Sequence, residues 1–128
     1  MKVKKLAAID IGSNAIRILI ANVVQEVGEH PVYMKSEMIR VPIRLGQDSF
    51  TVGEISNKNM KRVVKAMKAF RLIMKVNGVK HYMACATSAL RESNNADELV
   101  ALVKKKAKIK IEVIDGRKEA EIISNTTI

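Results

Sequence analysis

The chain has 128 residues, a formal net charge of +10, 48% hydrophobic residues and 3% aromatic residues. This length and apolar content are typical of one folded domain with its own core and exclude a disordered chain. No apolar run approaches the roughly 20 residues of a membrane helix, and the basic start is followed by an apolar run too short for a signal peptide. Cys85 is the only cysteine, which excludes an internal disulfide and favours a reducing cytoplasm.

The positive charge predicts an anionic partner, such as polyphosphate, a highly phosphorylated nucleotide or nucleic acid. Aromatic residues are few and tryptophan is absent, so a stacking platform for bases is not expected. Much of the charge lies on predicted helix faces and in the lysine run at residues 104–106, where it serves solubility. The charge therefore indicates an anion without identifying it, and nucleic acid is disfavoured.

The first half of the chain predicts three extended segments. Residues 3–24 have the strand, polar turn and strand pattern of a hairpin. A second turn at 25–30 leads to a third segment at 31–45, in which Pro42 indicates a sheet edge or a bulge. A loop is expected at 46–53.

The second half predicts strands that alternate with helices. Ser56 is a favoured N-cap, and apolar residues from Met60 to Met74 recur every three or four positions along one helix. Residues 77–78 (NG) end that helix. The remaining elements are a strand at 79–86, a short helical turn, a helix that starts at 94–98 with an asparagine cap, a strand at 109–113 and a helix from about residue 118.

The order βββαβαβα predicts an α/β fold, a mixed five-stranded sheet with helices packed on it and parallel pairing of the later strands. In such sheets functional groups gather at the carboxyl ends of strands. Asp10, the pair Thr87 and Ser88, and Glu119 all follow predicted strand ends. We therefore expect these side chains along one edge of the sheet.

The turn after the first strand has the composition of a phosphate-binding loop. Asp10 supplies a carboxylate for a metal cation, Gly12 permits a tight turn, and Ser13 and Asn14 supply N–H groups for phosphate oxygens. The alternative is a plain hairpin in which Asp10 caps the turn. Spacing alone does not decide between the two.

Two further positions have both a functional and a structural interpretation. Thr87 and Ser88 with Arg91 suit an anion site, or one hydroxyl caps the turn while Arg91 pairs with Glu92 or a neighbour. Glu119 lies in the first turn of the last predicted helix, where an acid also stabilises the helix dipole.

Three segments together resemble one protein family. Residues 9–17 (IDIGSNAIR), 86–92 (ATSALRE, followed by Asn95) and 112–120 (EVIDGRKEA) resemble the exopolyphosphatase / guanosine pentaphosphate phosphohydrolase (Ppx/GppA) family. The first segment alone would also suit acetate or sugar kinases. The resemblance covers nearly the whole chain and implies a ribonuclease H-like lobe of the actin-like ATPase superfamily.

The resemblance also implies an activity and a set of residues. The family removes terminal phosphate from inorganic polyphosphate or pppGpp with Mg²⁺. Glu119 corresponds to the catalytic base and Arg91 to a phosphate-side arginine, while Arg17 is expected to touch phosphate or nucleotide. The first phosphate loop, with Asp10 also as the candidate Mg²⁺ ligand, comprises Asp10, Gly12, Ser13 and Asn14.

The chain departs from the family pattern in two places. Lys118 stands where the family usually has the first of two adjacent glutamates. The family's second phosphate loop and second lobe are missing from the sequence, so we expect residues 1–128 to be a single N-terminal lobe, inactive alone, of a longer two-lobed enzyme. A homodimer is left open, and no membrane partner is expected.

Three alternatives from other functional classes are left open. A basic nucleic-acid-binding module would bind duplexes in a salt-dependent way without the Asp10 loop. A ribonuclease H-like nuclease would use Asp10 and Glu119 as metal ligands, with Asp115 as the only other nearby carboxylate. A kinase of the same superfamily would need an adenosine site elsewhere.

Overall fold

A computed structural model of the chain describes residues 2–25, 28, 30 and 32–115. The last predicted helix, including Glu119, lies outside the described residues. The elements in chain order are β1 (Lys2–Ile11), β2 (Ile16–Gln25), β3 (Val32–Val41), α1 (Leu45–Thr51), α2 (Asn57–Val76), β4 (His81–Ala86), α3 (Ser88–Arg91), α4 (Ala96–Ala107) and β5 (Glu112–Val113).

The five strands form one mixed sheet in the order β3-β2-β1-β4-β5. The pairs β1–β2 and β2–β3 are antiparallel, as the two predicted turns require. The pairs β1–β4 and β4–β5 are parallel. The predicted mixed α/β sheet is therefore confirmed, and β1 lies at its centre.

Alternation along β1 and β2 separates the two faces of the sheet. Ile9, Ile11, Ile16 and Ile18 are buried on the face that forms the core with α2 and α4. The helices contribute the predicted apolar stripe to the same core (Met60, Val63, Met67, Phe70 and Met74 of α2, with Leu99 and Val103 of α4). Asp10 therefore lies on the opposite face.

Both ends of α2 have the predicted caps. The Ser56 hydroxyl accepts a hydrogen bond from the Asn59 N–H at 3.2 Å. At the other end Gly78 has φ +70°, and the Val79 N–H donates to the Met74 carbonyl at 2.9 Å. That bond and the left-handed glycine are the Schellman ending of a helix.

The segment after β3 differs from the prediction. The strand ends at Val41 rather than at residue 45, and Pro42 follows it, so the missing N–H of proline interrupts no ladder bond. β3 is an edge strand of the sheet, which confirms one of the two interpretations of Pro42, and the pairing of β2 with β3 shifts register between Ile20 and Ala21. The expected loop contains helix α1, which ends where the Gly53 N–H donates to the Asp48 and Ser49 carbonyls.

The fifth strand is shorter than predicted, because the alternation of isoleucines reflects burial rather than pairing. Ile109 and Ile111 are buried, but the Lys110 N–H donates to the Tyr82 hydroxyl at 3.1 Å instead of to the backbone of β4. Only Glu112 and Val113 pair with β4. Among the described residues, no helix combines the length and apolar character needed to cross a membrane.

Candidate functional site

Three strand ends meet at one edge of the sheet, as predicted for the carboxyl ends of parallel strands. The Thr87 N–H, just after β4, donates to the Ile11 carbonyl at the end of β1 at 3.2 Å. The Ile114 N–H, just after β5, donates to the Ala86 carbonyl at 2.9 Å. The segments that follow β1, β4 and β5 therefore leave the sheet side by side.

The structure brings the two predicted hydroxyl positions together. The hydroxyl oxygens of Ser13, in the loop after β1, and Ser88, at the start of α3, are 3.1 Å apart and hydrogen-bonded. In a bond between two hydroxyls one proton is used and the other is free to point elsewhere. This pair can therefore donate to a further acceptor, such as a phosphate oxygen.

The loop between β1 and β2 also presents backbone donors. The Gly12 N–H closes the turn by donating to the Ala15 carbonyl at 3.0 Å. Within the described part of the chain, the N–H groups of Ser13 and Asn14 make no hydrogen bond. These two donors fit the predicted role of the loop toward an anion.

Helix α1 supports this loop from behind. The Gly46 N–H donates to the Ser13 carbonyl at 2.9 Å, and a Cβ at position 46 would lie only 3.0 Å from the Ser13 Cβ. The absence of a side chain at Gly46 is therefore what lets the helix approach the loop. The sequence does not predict this role for Gly46, because a glycine is equally typical of the loop expected at 46–53.

Asp10 and Arg17 form an ion pair across the first hairpin. The Asp10 Oδ2 accepts from Arg17 Nη2 at 2.9 Å and from Nε at 3.2 Å, and the two side chains are 40% and 55% exposed. Among the described residues, Asp10 Oδ1 accepts no hydrogen bond. Asp10 therefore does not cap the turn through its side chain, which contradicts the plain-hairpin alternative in this respect.

Arg91 connects the segment that follows β4 with the segment that follows β5. Its Nη1 donates to the Ile114 carbonyl at 2.6 Å, immediately after β5. This partner is a neighbouring backbone carbonyl rather than Glu92, so it fits the structural alternative in which Arg91 pairs with a neighbour. Arg91 thus holds the chain at the point from which it continues toward Glu119, at the same edge as Ser13 and Ser88.

Thr87 is 7% exposed and precedes α3, but its hydroxyl makes no capping hydrogen bond. Its backbone carbonyl accepts from the Arg91 N–H at 3.0 Å. The structure thus places Thr87 beside Ser88 without showing a ligand-binding role for its side chain.

The oxygen ligands at this edge could hold a Mg²⁺ ion that is coordinated mainly by phosphate oxygens. Mg²⁺ prefers oxygen ligands and commonly uses one or two carboxylates together with waters and substrate phosphates. Asp10 supplies one carboxylate with Oδ1 available. The described residues contain no group of three His, Cys, Asp or Glu side chains able to hold a metal, so a metal cage made of protein ligands alone is not found there.

The sequence model of the Ppx/GppA phosphatase family matches residues 22–127. The chain belongs to the Ppx/GppA phosphatase family. The resemblance that residues 9–17, 86–92 and 112–120 carry is confirmed, and so is the ribonuclease H-like, actin-like fold class.

Relatives of this Ppx/GppA chain include proteins described as exopolyphosphatases. Exopolyphosphatase 1 of Mycobacterium leprae is 28% identical over 118 residues, covering 92% of this chain and 34% of the relative. An exopolyphosphatase structure from Cytophaga hutchinsonii is 33% identical with a TM-score of 0.80, covering 93% of this chain and 36% of that one.

A Ppx/GppA family member from Aquifex aeolicus has the same fold, with a TM-score of 0.83 and 24% identity over 92% of this chain and 37% of that one. The family chain described here thus spans about a third of the length of these relatives.

Proposed function

We propose that this Ppx/GppA chain contributes half of the cleft of a phosphoanhydride hydrolase that releases terminal phosphate from inorganic polyphosphate or pppGpp. The observation that carries the proposal is the hydrogen bond between Ser13 and Ser88, which joins two separate predicted phosphate segments. The family membership gives the reaction class, and the edge geometry supports it.

The residues at this edge of the sheet would have different roles in the reaction. The N–H groups of Ser13 and Asn14 and the paired hydroxyls would donate to oxygens of the terminal phosphoryl group, where negative charge must be stabilised. Asp10 would hold Mg²⁺, which when bound neutralises phosphate charge. Arg17 and Arg91 would add positive charge beside that group.

Glu119 is the proposed general base, five residues beyond Ile114. It would orient a water and take its proton as the water oxygen bonds to the terminal phosphorus. The bond from that phosphorus to the bridging oxygen breaks, and the bridging oxygen leaves with the shortened chain. The products are inorganic phosphate and a polyphosphate, or nucleotide, shorter by one phosphate.

The test replaces Glu119 with Gln in the protein that contains this chain and measures phosphate release from polyphosphate and from pppGpp. We expect a loss of about 100-fold or more, in line with the contribution of a positioned general base. Glu54→Gln, at an exposed position, is the matched control and should retain activity. Near-normal release by Glu119→Gln would refute the assignment.

The same assay separates the other functional classes. Phosphate transfer from ATP to a sugar would identify a kinase, and cleavage of nucleic acid would identify a nuclease. The nuclease alternative requires several carboxylates on one edge, and one of its expected ligands, Glu119, lies outside the described residues.

A further inference from the structure

A pocket lined by cationic side chains lies beside helix α1, and it shares no residue with the candidate site. It has a volume of about 390 Å³ and lies between the segment that enters α1 and the start of α2. Three of its lining side chains are cationic, Arg44, Lys58 and Arg62. None of these residues belongs to the phosphate loop or to the segments that resemble the family.

One of the three cations is held in place by neutral acceptors. Arg62 donates to the Asn59 side-chain oxygen and to the Pro42 carbonyl, each at 3.2 Å. For Arg44 and Lys58, no hydrogen bond or ion pair occurs within the part of the chain that the structure describes. Among the described residues, no ion pair joins Arg44, Lys58 or Arg62 to a carboxylate.

The single carboxylate of the pocket, Asp48, accepts hydrogen bonds through one of its two oxygens. Its Oδ2 accepts from the Ser56 N–H at 3.1 Å, the Ser56 hydroxyl at 3.0 Å and the Asn59 amide at 2.8 Å. These donors are neutral, so the carboxylate keeps its negative charge. The pocket therefore combines three cationic side chains with one carboxylate and has a net positive charge.

Helix α1 is in contact with the phosphate loop and also lines the pocket. The Gly46 N–H donates to the Ser13 carbonyl, and both Arg44 and Asp48 lie two residues from Gly46. Helix α1 thus contacts the phosphate loop through Gly46 and lines the pocket through Asp48.

The chemistry of the lining favours an inorganic anion over a nucleotide. No aromatic side chain lines the pocket, so it lacks the stacking surface on which bases are usually held. Helix α2 carries seven lysines and arginines and no acidic residue, which adds to the positive potential around it.

We propose that the Arg44–Lys58–Arg62 pocket is a second phosphate-binding site, which holds unreacted phosphates of an inorganic polyphosphate chain. The proposal rests on the proposed function only for the role of that chain as substrate. Binding at the pocket itself requires neither Glu119 nor hydrolysis.

The experiment compares two double variants of the chain with equal loss of charge. Arg44→Gln/Lys58→Gln removes pocket cations, and Lys65→Gln/Lys68→Gln removes exposed cations of α2 outside the pocket. Tripolyphosphate binding is measured by calorimetry at physiological salt. We expect Kd to rise at least about tenfold for the pocket variant and less than about twofold for the control, because direct charge-assisted contacts exceed long-range attraction.

Amide NMR shifts locate the binding without relying on a variant. Tripolyphosphate should shift resonances of residues 42–48 and 56–62. Absence of those shifts, absence of binding, or equal losses in the two double variants would overturn the proposal. Tighter binding of guanosine triphosphate or of single-stranded RNA through the same cations would overturn the choice of an inorganic chain.

The two proposals fail independently. Retained tripolyphosphate binding at the pocket in a protein that releases no phosphate would refute only the proposed function. Phosphate release that depends on Glu119, with no binding at Arg44 and Lys58, would refute only the pocket.

Discussion

The Asp10 carboxylate uses one oxygen for Arg17, through two hydrogen bonds. Both side chains are substantially exposed, and exposed ion pairs contribute only about 0–1 kcal/mol. The ion pair therefore orients the Asp10 side chain, and replacing Arg17 by another partner would cost little free energy. In the proposed function, a substrate phosphate would compete for Arg17 while Asp10 Oδ1 would bind Mg²⁺.

At the residue scale, the backbone conformation of Lys108 indicates that glycine at this position would stabilise the protein. It ends α4 with φ 59°, a left-handed conformation that costs a residue with a Cβ about 1 kcal/mol or more. Lys108→Gly should raise the free energy of unfolding by about 0.5–1 kcal/mol, as measured by urea denaturation. Lys105→Gly, inside the same helix, should instead lower it by about 1 kcal/mol, and a loss in both variants would contradict the prediction.

At the element scale, the junction of α1 and α2 is organised around Asp48. Burial raises the pKa of its carboxyl, but hydrogen bonds from the Ser56 N–H, the Asn59 amide and the Ser56 hydroxyl outweigh burial and lower that pKa below 3.8. One carboxylate of α1 thus binds the N-cap residue and the first turn of α2. The two helices therefore keep a fixed relation behind the phosphate loop.

This arrangement predicts a pH-dependent contribution of Asp48 to stability. Because the folded-state pKa is the lower one, the unfolded chain binds more protons in that range, and the contribution is present above pH 3.8 and lost as pH falls through the folded value. Asp48→Asn should lower the free energy of unfolding by about 1 kcal/mol at pH 7. The difference from the unmodified chain should shrink toward pH 2, and a constant difference in pH-dependent denaturation would contradict this.

At the scale of the whole molecule, Asn95 joins parts of the chain that are distant in sequence. Its side-chain oxygen accepts from the Ile55 N–H at 2.8 Å, and its amide donates to the Ile55 carbonyl at 2.9 Å. The neighbouring Asn94 N–H donates to the Gly53 carbonyl at 2.8 Å. The connection between α1 and α2 is therefore fixed to the start of α4.

Asn95→Ala should accordingly destabilise the entire domain. It would leave the N–H and the carbonyl of Ile55, a residue that is 2% exposed, without partners, and we expect a loss of about 2 kcal/mol in the free energy of unfolding. Asn94→Ala removes a neighbouring exposed side chain but keeps its backbone bond, so it should change stability by less than about 0.5 kcal/mol. Similar values for the two variants in thermal or urea unfolding would contradict the assignment.

Local sequence was sufficient to predict those elements for which apolar periodicity and turn residues indicate the same structure. The two hairpins, the buried stripe of α2, the Ser56 cap and the ending at Gly78 follow from the spacing of apolar residues and from the backbone preferences of single residues. The family resemblance, carried by three short segments, was confirmed over most of the chain. The placement of Asp10, Ser13 and Ser88 at one edge follows from parallel pairing of β1 and β4.

Other features depend on contacts between segments that no local pattern encodes. The sequence predicts an asparagine side-chain cap at 94–95, but the N-cap residue Asn95 bonds instead to the N–H and the carbonyl of Ile55. Arg91 bonds to the Ile114 carbonyl because β5 ends beside β4, and the alternating isoleucines before β5 are buried without pairing. Periodicity reports which side chains avoid water, whereas hydrogen-bond partners depend on which backbone groups the folded chain brings within reach.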